Sequence, residues 1–375
     1  MSKKALLTAT VQSHIAQFHK PLIELLKKAN YEIHIAAKDN LAVKNGLKIE
    51  NVDRIFNVEF SRSPKSTDNI KAYKQLKKII DENKYDIISC NTPMGGIVTR
   101  LAARKARKTG TKVFYTAHGF HFYHGAPKKN WLIYYPIEKF FIKYTDALIT
   151  ITKEDYKLSK KKFKTNVYYI HGVGVDASKY IPVDDKTKSE LRKKHNINKK
   201  SFVCICTGEL NKNKNQNLIV GVAKKIIKRY PDFKLFLAGN GPKEKDLKEL
   251  IKSLGIESNV IMLGYTTILQ EYVQCADLIV SASKREGLPL NIIEAMLCKK
   301  AVVASVNRGH NELVENGKTG FLVNKENEFE NKIIELINDR EKLNNMGECG
   351  YTKAQIFTME NVKKELNKIY CGGKI

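Results

Sequence analysis

Apolar residues along this chain fall into two alternating patterns. Short β-branched runs bounded by turn residues are followed by longer, lysine-rich stretches whose apolar positions recur at helical spacing. The pattern predicts a strand over Ala5–Ala9, a helix over Ile15–Ala29 carrying Ile15, Phe18, Leu22, Leu25 and Leu26, and a strand over Glu32–Ala36. It continues through helix Asn69–Asn83, strand Asp86–Cys90, helix Met94–Lys108, strand Lys112–Thr116, helix Trp131–Lys143 and strand Ala147–Ile151. Such alternation is the signature of βαβ units and parallel sheets, and one doubly wound layer is complete at Ile151.

Around residues 168–200 the pattern breaks into turn residues and a charged helix without a strong apolar face, which predicts a domain boundary and part of a hinge. A second series follows: strand Phe202–Thr207, helix Asn215–Arg229, strand Lys234–Ala238, helix Lys243–Leu254 and strand Val260–Leu263. Helix Ile268–Cys275, strand Leu278–Ser281, helix Pro289–Leu297 and strand Ala301–Ala304 complete it. The expected organisation is therefore two α/β domains, 1–180 and 181–354, with a terminal helix at about 355–375 packing back on the first. Open parallel sheets bind at the carboxyl ends of their strands, so a ligand is expected in a cleft that both domains face.

Composition narrows the partners rather than the fold. With 375 residues, 42% of them apolar, the chain can bury a sizeable core, and its length favours two domains. The net charge of +27 attracts polyanions: nucleic acid, anionic lipid headgroups or phosphorylated substrates. No recognition-helix, RNP or zinc-finger pattern accompanies that charge, so no nucleic-acid partner is expected. No apolar run approaches the roughly 18 to 20 residues that span a bilayer, and the first residues lack the apolar stretch of a leader, which predicts a cytoplasmic protein. The seven cysteines are scattered and lack any C-x-x-C pair, as expected of reduced, buried thiols.

The most informative stretch is SASKREGLPLNIIE, residues 281–294. A strand delivers the chain into a polar loop, Gly287 permits close backbone approach, and Pro289 suits the first turn of a helix. Exposed N–H groups at Gly287, Leu288 and Leu290, with the positive end of the helix dipole, would suit a diphosphate. Glu286 and Glu294 flank that position and can reach different parts of one extended ligand, such as sugar and ribose hydroxyls. Alternatively, Glu294 is a solvated helix residue.

This string resembles the signature of the family 4 glycosyltransferases, retaining enzymes of GT-B fold with two Rossmann-like domains. Their E-G-L/F-P-L-x-x-x-E pattern reads here as Glu286, Gly287, Leu288, Pro289, Leu290 and Glu294. TGELNKNKN resembles the family's glycine-containing loop and implies phosphate binding by Lys214 beside Gly208. LAGNGP resembles its second glycine turn at Gly239 and Gly241, NVIMLGY its base-side strand, and NELVENGKTGFLV the stretch after the donor site. One departure stands out: Glu209 occupies the position where the family usually carries Arg, so the cationic clamp on the leaving diphosphate is incomplete, and Lys212 or the helix dipole would compensate.

In VFYTAHGFHFYHGAP, His118 lies just past a predicted strand, where the resemblance implies contact with the donor sugar near the reacting centre. His118, His121 and His124 recur every three residues, a spacing open to a metal reading, although no helix or carboxylate pattern aligns them. Otherwise His121 and His124 line the acceptor side or the surface. His14 either contacts the acceptor or sits in an ordinary helix start capped by Ser13. The segment 127–144 sets Trp131, Tyr134, Tyr135, Phe140, Phe141 and Tyr144 among Lys128, Lys129, Lys139 and Lys143. It suits either a membrane interface or a helix buried against the sheet.

TAHGFHFYHGAP and WLIYYPIEKF are similar to capsular and exopolysaccharide glycosyltransferases. That likeness implies transfer of an N-acetylhexosamine or hexose from a UDP-sugar to a polyprenyl-diphosphate-linked saccharide at an anionic membrane surface, peripherally on the inner face of the cell membrane. The anomeric configuration is retained, with a donor phosphate oxygen taking the proton. No cofactor or metal is expected, since the chain contains no Asp-x-Asp to hold one and its positive charge comes from Lys214 and helix N-termini. The resemblance makes His118 and Glu286 the residues at the reacting centre. A nucleotide-sugar epimerase or hydrolase of the same fold, and a basic nucleic-acid-binding protein, are the competing readings.

Overall fold

The computed structural model describes residues 3–43 and 46–373, so residues 374 and 375 of the expected terminal helix lie outside the described residues. The chain forms two units, Met1–Gly174 with Met359–Ile375 and Val175–Thr358. The first opens with β1 (Lys3–Val11), α1 (Gln12–Phe18), α2 (Lys20–Lys28), β2 (Tyr31–Lys38) and β3 (Arg54–Asn57). It continues with α3 (Asp68–Asn83), β4 (Ile87–Asn91), α4 (Pro93–Ala102), α5 (Arg104–Lys108) and β5 (Lys112–Ala117). Helix α6 (Lys128–Phe141), β6 (Ala147–Thr150), α7 (Lys153–Lys162) and β7 (Asn166–Tyr169) follow. The seven strands are parallel in the order β3-β2-β1-β4-β5-β6-β7.

The first unit differs from the sequence pattern in three places. The expected helix over Ile15–Ala29 is two helices, because Pro21 in the first turn of α2 has no N–H and its ring crowds the preceding turn. His19 sits at the break with φ −116° and ψ 11°. The stretch 94–108 likewise divides into α4 and α5 at Ala103. The layer does not end at Ile151 either: β7 extends the sheet, and β3 adds to its other edge.

The second unit contains α8 (Asp185–Lys194), β8 (Val203–Thr207), α9 (Gln216–Arg229), β9 (Lys234–Ala238), α10 (Glu244–Ser253), β10 (Val260–Gly264) and α11 (Leu269–Cys275). Then come β11 (Leu278–Ser281), α12 (Leu290–Leu297), β12 (Ala301–Ser305), α13 (Arg308–Leu313), β13 (Gly320–Val323), α14 (Glu326–Asn338) and α15 (Arg340–Ala354). Its six strands are parallel in the order β10-β9-β8-β11-β12-β13, with apolar clusters on both faces. Cys204 and Cys206 share one of those faces, and all seven cysteines are free thiols, five of them buried.

After α15 the chain returns to the first unit as α16 (Met359–Tyr370), which packs on α2. Val362, Leu366 and Tyr370 are buried there, Tyr370 stacks on Phe114 with ring centres 4.4 Å apart, and its hydroxyl lies 2.9 Å from Ser89 Oγ. Both sheets reverse their winding at one point, between β1 and β4 and between β8 and β11. Loops at the carboxyl ends of such strand pairs diverge and leave a crevice.

Candidate functional site

In the second unit the loops leaving β8 and β11 meet at the switch point. Gly208 follows β8 with φ +134°, and a Cβ there would stand 3.2 Å from Lys214 Cε, so its absence gives the lysine its path across the loop. Asn211 Oδ1 accepts hydrogen bonds from the N–H groups of Asn213 and Lys214, at 3.0 and 2.9 Å. The N–H of Lys284 donates to Asn213 O (2.8 Å) and Asn213 Nδ2 donates to Arg285 O (2.9 Å), which ties the two loops together. As a result Lys214 Nζ lies 2.7 Å from Glu286 Oε1, with the two side chains 20% and 13% exposed. The glycine turn after β9 completes the wall: Gly239 has φ +138°, and a Cβ there would fall 2.1 Å from Gly208 O. Gly241 lies in the same turn, beside Leu210, whose N–H donates to Asn240 O.

Helix α12 starts at Leu290, so Pro289 is its extended N-cap (φ −76°, ψ 105°) rather than a residue of its first turn. Gly287 and Leu288 are half-buried before it. Within the second turn, burial pushes the Glu294 carboxyl up to about 7, against the opposing pull of Lys179 and a hydrogen bond from Tyr180. Glu209 is exposed, and its Oε2 accepts a hydrogen bond from Asn211 Nδ2 at 2.9 Å, so it serves the loop's own geometry.

Sequence reasoning missed three residues here. Tyr180 reaches Glu294 from the segment before α8. Asn307 caps α13, accepting from the N–H groups of Gly309 and His310, while its Nδ2 and Ser305 Oγ both donate to Ser283 O. His310 is fully buried, which lowers its basicity, and the nearby Glu286 carboxylate pulls the other way. An Asn directly before the RGHNEL stretch is an N-cap signal that could have located α13.

In the first unit His118 directly follows β5, and His14 lies in α1 directly after β1. Their Nε2 atoms are 3.3 Å apart. Burial pushes the His118 imidazole down to about 4. His121 stacks on Tyr134 with ring centres 4.5 Å apart, and the N–H of the exposed His124 donates to Glu154 Oε1. The spacing of His118, His121 and His124 therefore does not gather one ligand set; His14, His19 and His118 converge instead. Ser13 does not cap the helix, since α1 already begins at Gln12; its Oγ accepts from Asn40 Nδ2.

A cavity of about 740 Å³ opens beside these histidines, lined by His14, His121, Phe18, Arg62, Met94 and Ile137 among others. At its edge Thr92 follows β4 with φ 64° and ψ 151°, a conformation that costs a non-glycine residue roughly 1–3 kcal/mol. Hydrogen bonds from Thr10, at 3.1 Å from its N–H and 2.7 Å between the hydroxyls, hold it there. Helix α6 sets Trp131 and Tyr135 against the core and leaves Leu132 (77%), Ile133 (53%) and Phe140 (52%) exposed. Among the described residues, no helix is long and apolar enough to cross a membrane.

Comparison with known proteins places this arrangement in a lineage. A family model described as "Glycosyl transferase 4-like" matches residues 4–152, and one described as "Glycosyl transferases group 1" matches residues 187–353. The putative glycosyltransferase EpsD of Bacillus subtilis is 39% identical over 374 residues, covering 99% of this chain and 97% of that protein. An Escherichia coli UDP-Gal:alpha-D-GlcNAc-diphosphoundecaprenol alpha-1,3-galactosyltransferase is 29% identical, over 92% and 89% of the two chains. The crystal structure of Anabaena HepE with UDP and glucose superposes with a TM-score of 0.77 at 21% identity, over 99% of this chain and 100% of that one. This chain belongs to the family 4 glycosyltransferases of GT-B fold.

Proposed function

We propose that this glycosyltransferase moves a hexosyl or N-acetylhexosaminyl group from a UDP-sugar to a polyprenyl-diphosphate-linked saccharide, with retention of configuration and without a metal ion. The observation that carries the reading is the Lys214–Glu286 pair, joined at 2.7 Å across two glycine-containing loops. In it an ammonium suited to a diphosphate stands beside a carboxylate suited to sugar hydroxyls. Lys214 then meets the leaving diphosphate, together with the amides before α12, and Glu286 positions the sugar. Glu294 accepts from the ribose hydroxyls, and Gly208, Gly239 and Gly241 let the backbone approach the nucleotide.

His118 has the sugar-side role that the family resemblance implies, held neutral by its burial so that it can polarise without adding charge. The proton of the attacking hydroxyl goes to a donor phosphate oxygen, so no protein base is required. The name of the Escherichia coli relative supports both a UDP-linked donor and a polyprenyl-diphosphate acceptor. The exposed apolar residues of α6, set among lysines on a chain of charge +27, support a peripheral position on the inner face of the cell membrane. His14 and His121, which line the cavity of the first unit, are the acceptor-side residues.

The test is a panel of nucleotide-sugars read by UDP release and thermal shift, repeated with EDTA and with Glu286→Ala. The expected outcome is a stabilising response to UDP-sugars, turnover indifferent to EDTA, and a loss of at least about a hundredfold in the variant, as for removal of one preorganised polar group at a reacting centre. Turnover abolished by EDTA, or full activity in the variant, would sink the assignment.

A further inference from the structure

The break between α1 and α2 has placed three imidazoles together. On one continuous helix His14 and His19 would project about 140° apart. At the break their ring centres come to 5.3 Å, and both meet His118, at 4.6 and 5.4 Å respectively. One nitrogen from each ring lies within 4.8 Å of the other two, and the Nε2 atoms of His14 and His118 are 3.3 Å apart. Two nitrogens bound to one tetrahedral zinc at about 2.0–2.1 Å are themselves about 3.3–3.4 Å apart, so this pair already has the spacing of ligands.

The third histidine supplies an independent observation. His19 is 5% exposed, and its Nε2 is a buried polar atom with no hydrogen-bond partner. Leaving such a group unpaired costs on the order of 1–3 kcal/mol, a cost that coordination would remove. Burial, reinforced by mutual repulsion with His118, also holds His14 and His19 well below the usual imidazole range. Burial thus disfavours the charged form of each ring, and a neutral imidazole keeps one nitrogen lone pair that a metal can take.

We propose that His14, His19 and His118 form a three-histidine site for a divalent transition ion of the zinc class. Three imidazole nitrogens without a carboxylate select Zn²⁺, Co²⁺ or Ni²⁺ over Mg²⁺ or Ca²⁺, which take oxygen ligands. Coordination by both facing Nε2 atoms moves the proton of their hydrogen bond to an Nδ1 through solvent, so every ring stays neutral and no net proton is released. Three ligands leave a position for an outside group, and the cationic Arg62 near His14 favours an anion there. Bound in this way the ion occupies His118, so it inhibits transfer. That consequence, unlike the site itself, rests on the role proposed above for His118.

The experiment uses the untagged full chain, stripped with EDTA and titrated with Co²⁺ while visible absorption is recorded. One equivalent should produce four-coordinate Co²⁺ bands that Zn²⁺ abolishes. His19→Gln should weaken binding at least about a hundredfold, since loss of an outer-shell partner alone costs roughly 10–100-fold. It should leave metal-free turnover unchanged. His14→Gln should also lose the bands, which decides the matter if His19→Gln fails to fold. One equivalent of Zn²⁺ should inhibit the native chain, EDTA should restore it, and His19→Gln should be insensitive. Absence of the bands, or bands that survive both substitutions, overturns the site. Bands without inhibition uphold the site and overturn the role of His118.

Discussion

Glu294 shows how a single residue ties stability to pH. Its carboxyl titrates near 7 because burial penalises the charged form, whereas the same group in the unfolded chain titrates near 4.5. The folded state therefore holds a proton that the unfolded state has lost between about pH 5 and 7, and stability falls as pH rises through that window. The full difference amounts to about 3 kcal/mol. Glu294→Gln should remove this dependence: urea unfolding of the native chain at pH 8, relative to pH 5.5, should lose on the order of 2–3 kcal/mol more than the variant. An equal loss in both would show that the carboxyl is not destabilised by burial. At this scale the sequence was legible only in part. Lys214 and Glu286 were found through motifs, since a separation of 72 positions along the chain hides their contact. Tyr180 and His19 gave no signal, because what matters about each is a neighbour distant in the chain or a turn in the backbone.

Elements were legible where the apolar period was strong and long. β9 and β11, apolar and buried along almost their whole length, fell on their expected residues, while the edge strands β3 (RIFN) and β7 (NVYY) are mostly uncovered, carry no continuous apolar run and were missed. The break at Pro21 was visible as a proline, but the helical period on both sides masked it. Helix α6 illustrates a different limit: periodicity detects two apolar sides without saying which is covered. Trp131 and Tyr135 meet the core, and Leu132 and Phe140, two turns apart, remain outside. If that outer stripe enters an anionic interface, Leu132→Glu combined with Phe140→Glu should weaken binding to phosphatidylglycerol vesicles at least about tenfold in sedimentation. Burial of either side chain contributes about 1.5–3 kcal/mol. The thermal midpoint should stay within about a degree, as both residues are exposed. Unchanged sedimentation would remove α6 from membrane contact.

At the scale of the whole molecule, the division into two α/β sheets was readable from the rhythm of strands and helices, and the family from the order of its motifs. The first unit is assembled from two separate stretches of chain, Met1–Gly174 and Met359–Ile375. Helix α16 brings it Val362, Leu366 and Tyr370, whose burial is worth on the order of 5 kcal/mol, a large share of the stability of a typical domain. Truncation after Thr358 should therefore abolish the unfolding transition of the first unit. Limited proteolysis should then digest residues up to 174 while a fragment near 175–358 survives. Protection of both parts would show that α16 is dispensable.

That discontinuity also sets a clock on biosynthesis. The ribosome finishes the seven strands of the first sheet long before it makes the helix that covers α2, with roughly 180 residues in between. At about 5–20 residues per second the nascent sheet waits some 10–40 seconds with Phe114 and its neighbours bare. During that interval the growing polypeptide depends on chaperones, and slow codons between positions 175 and 358 would lengthen its exposure to aggregation.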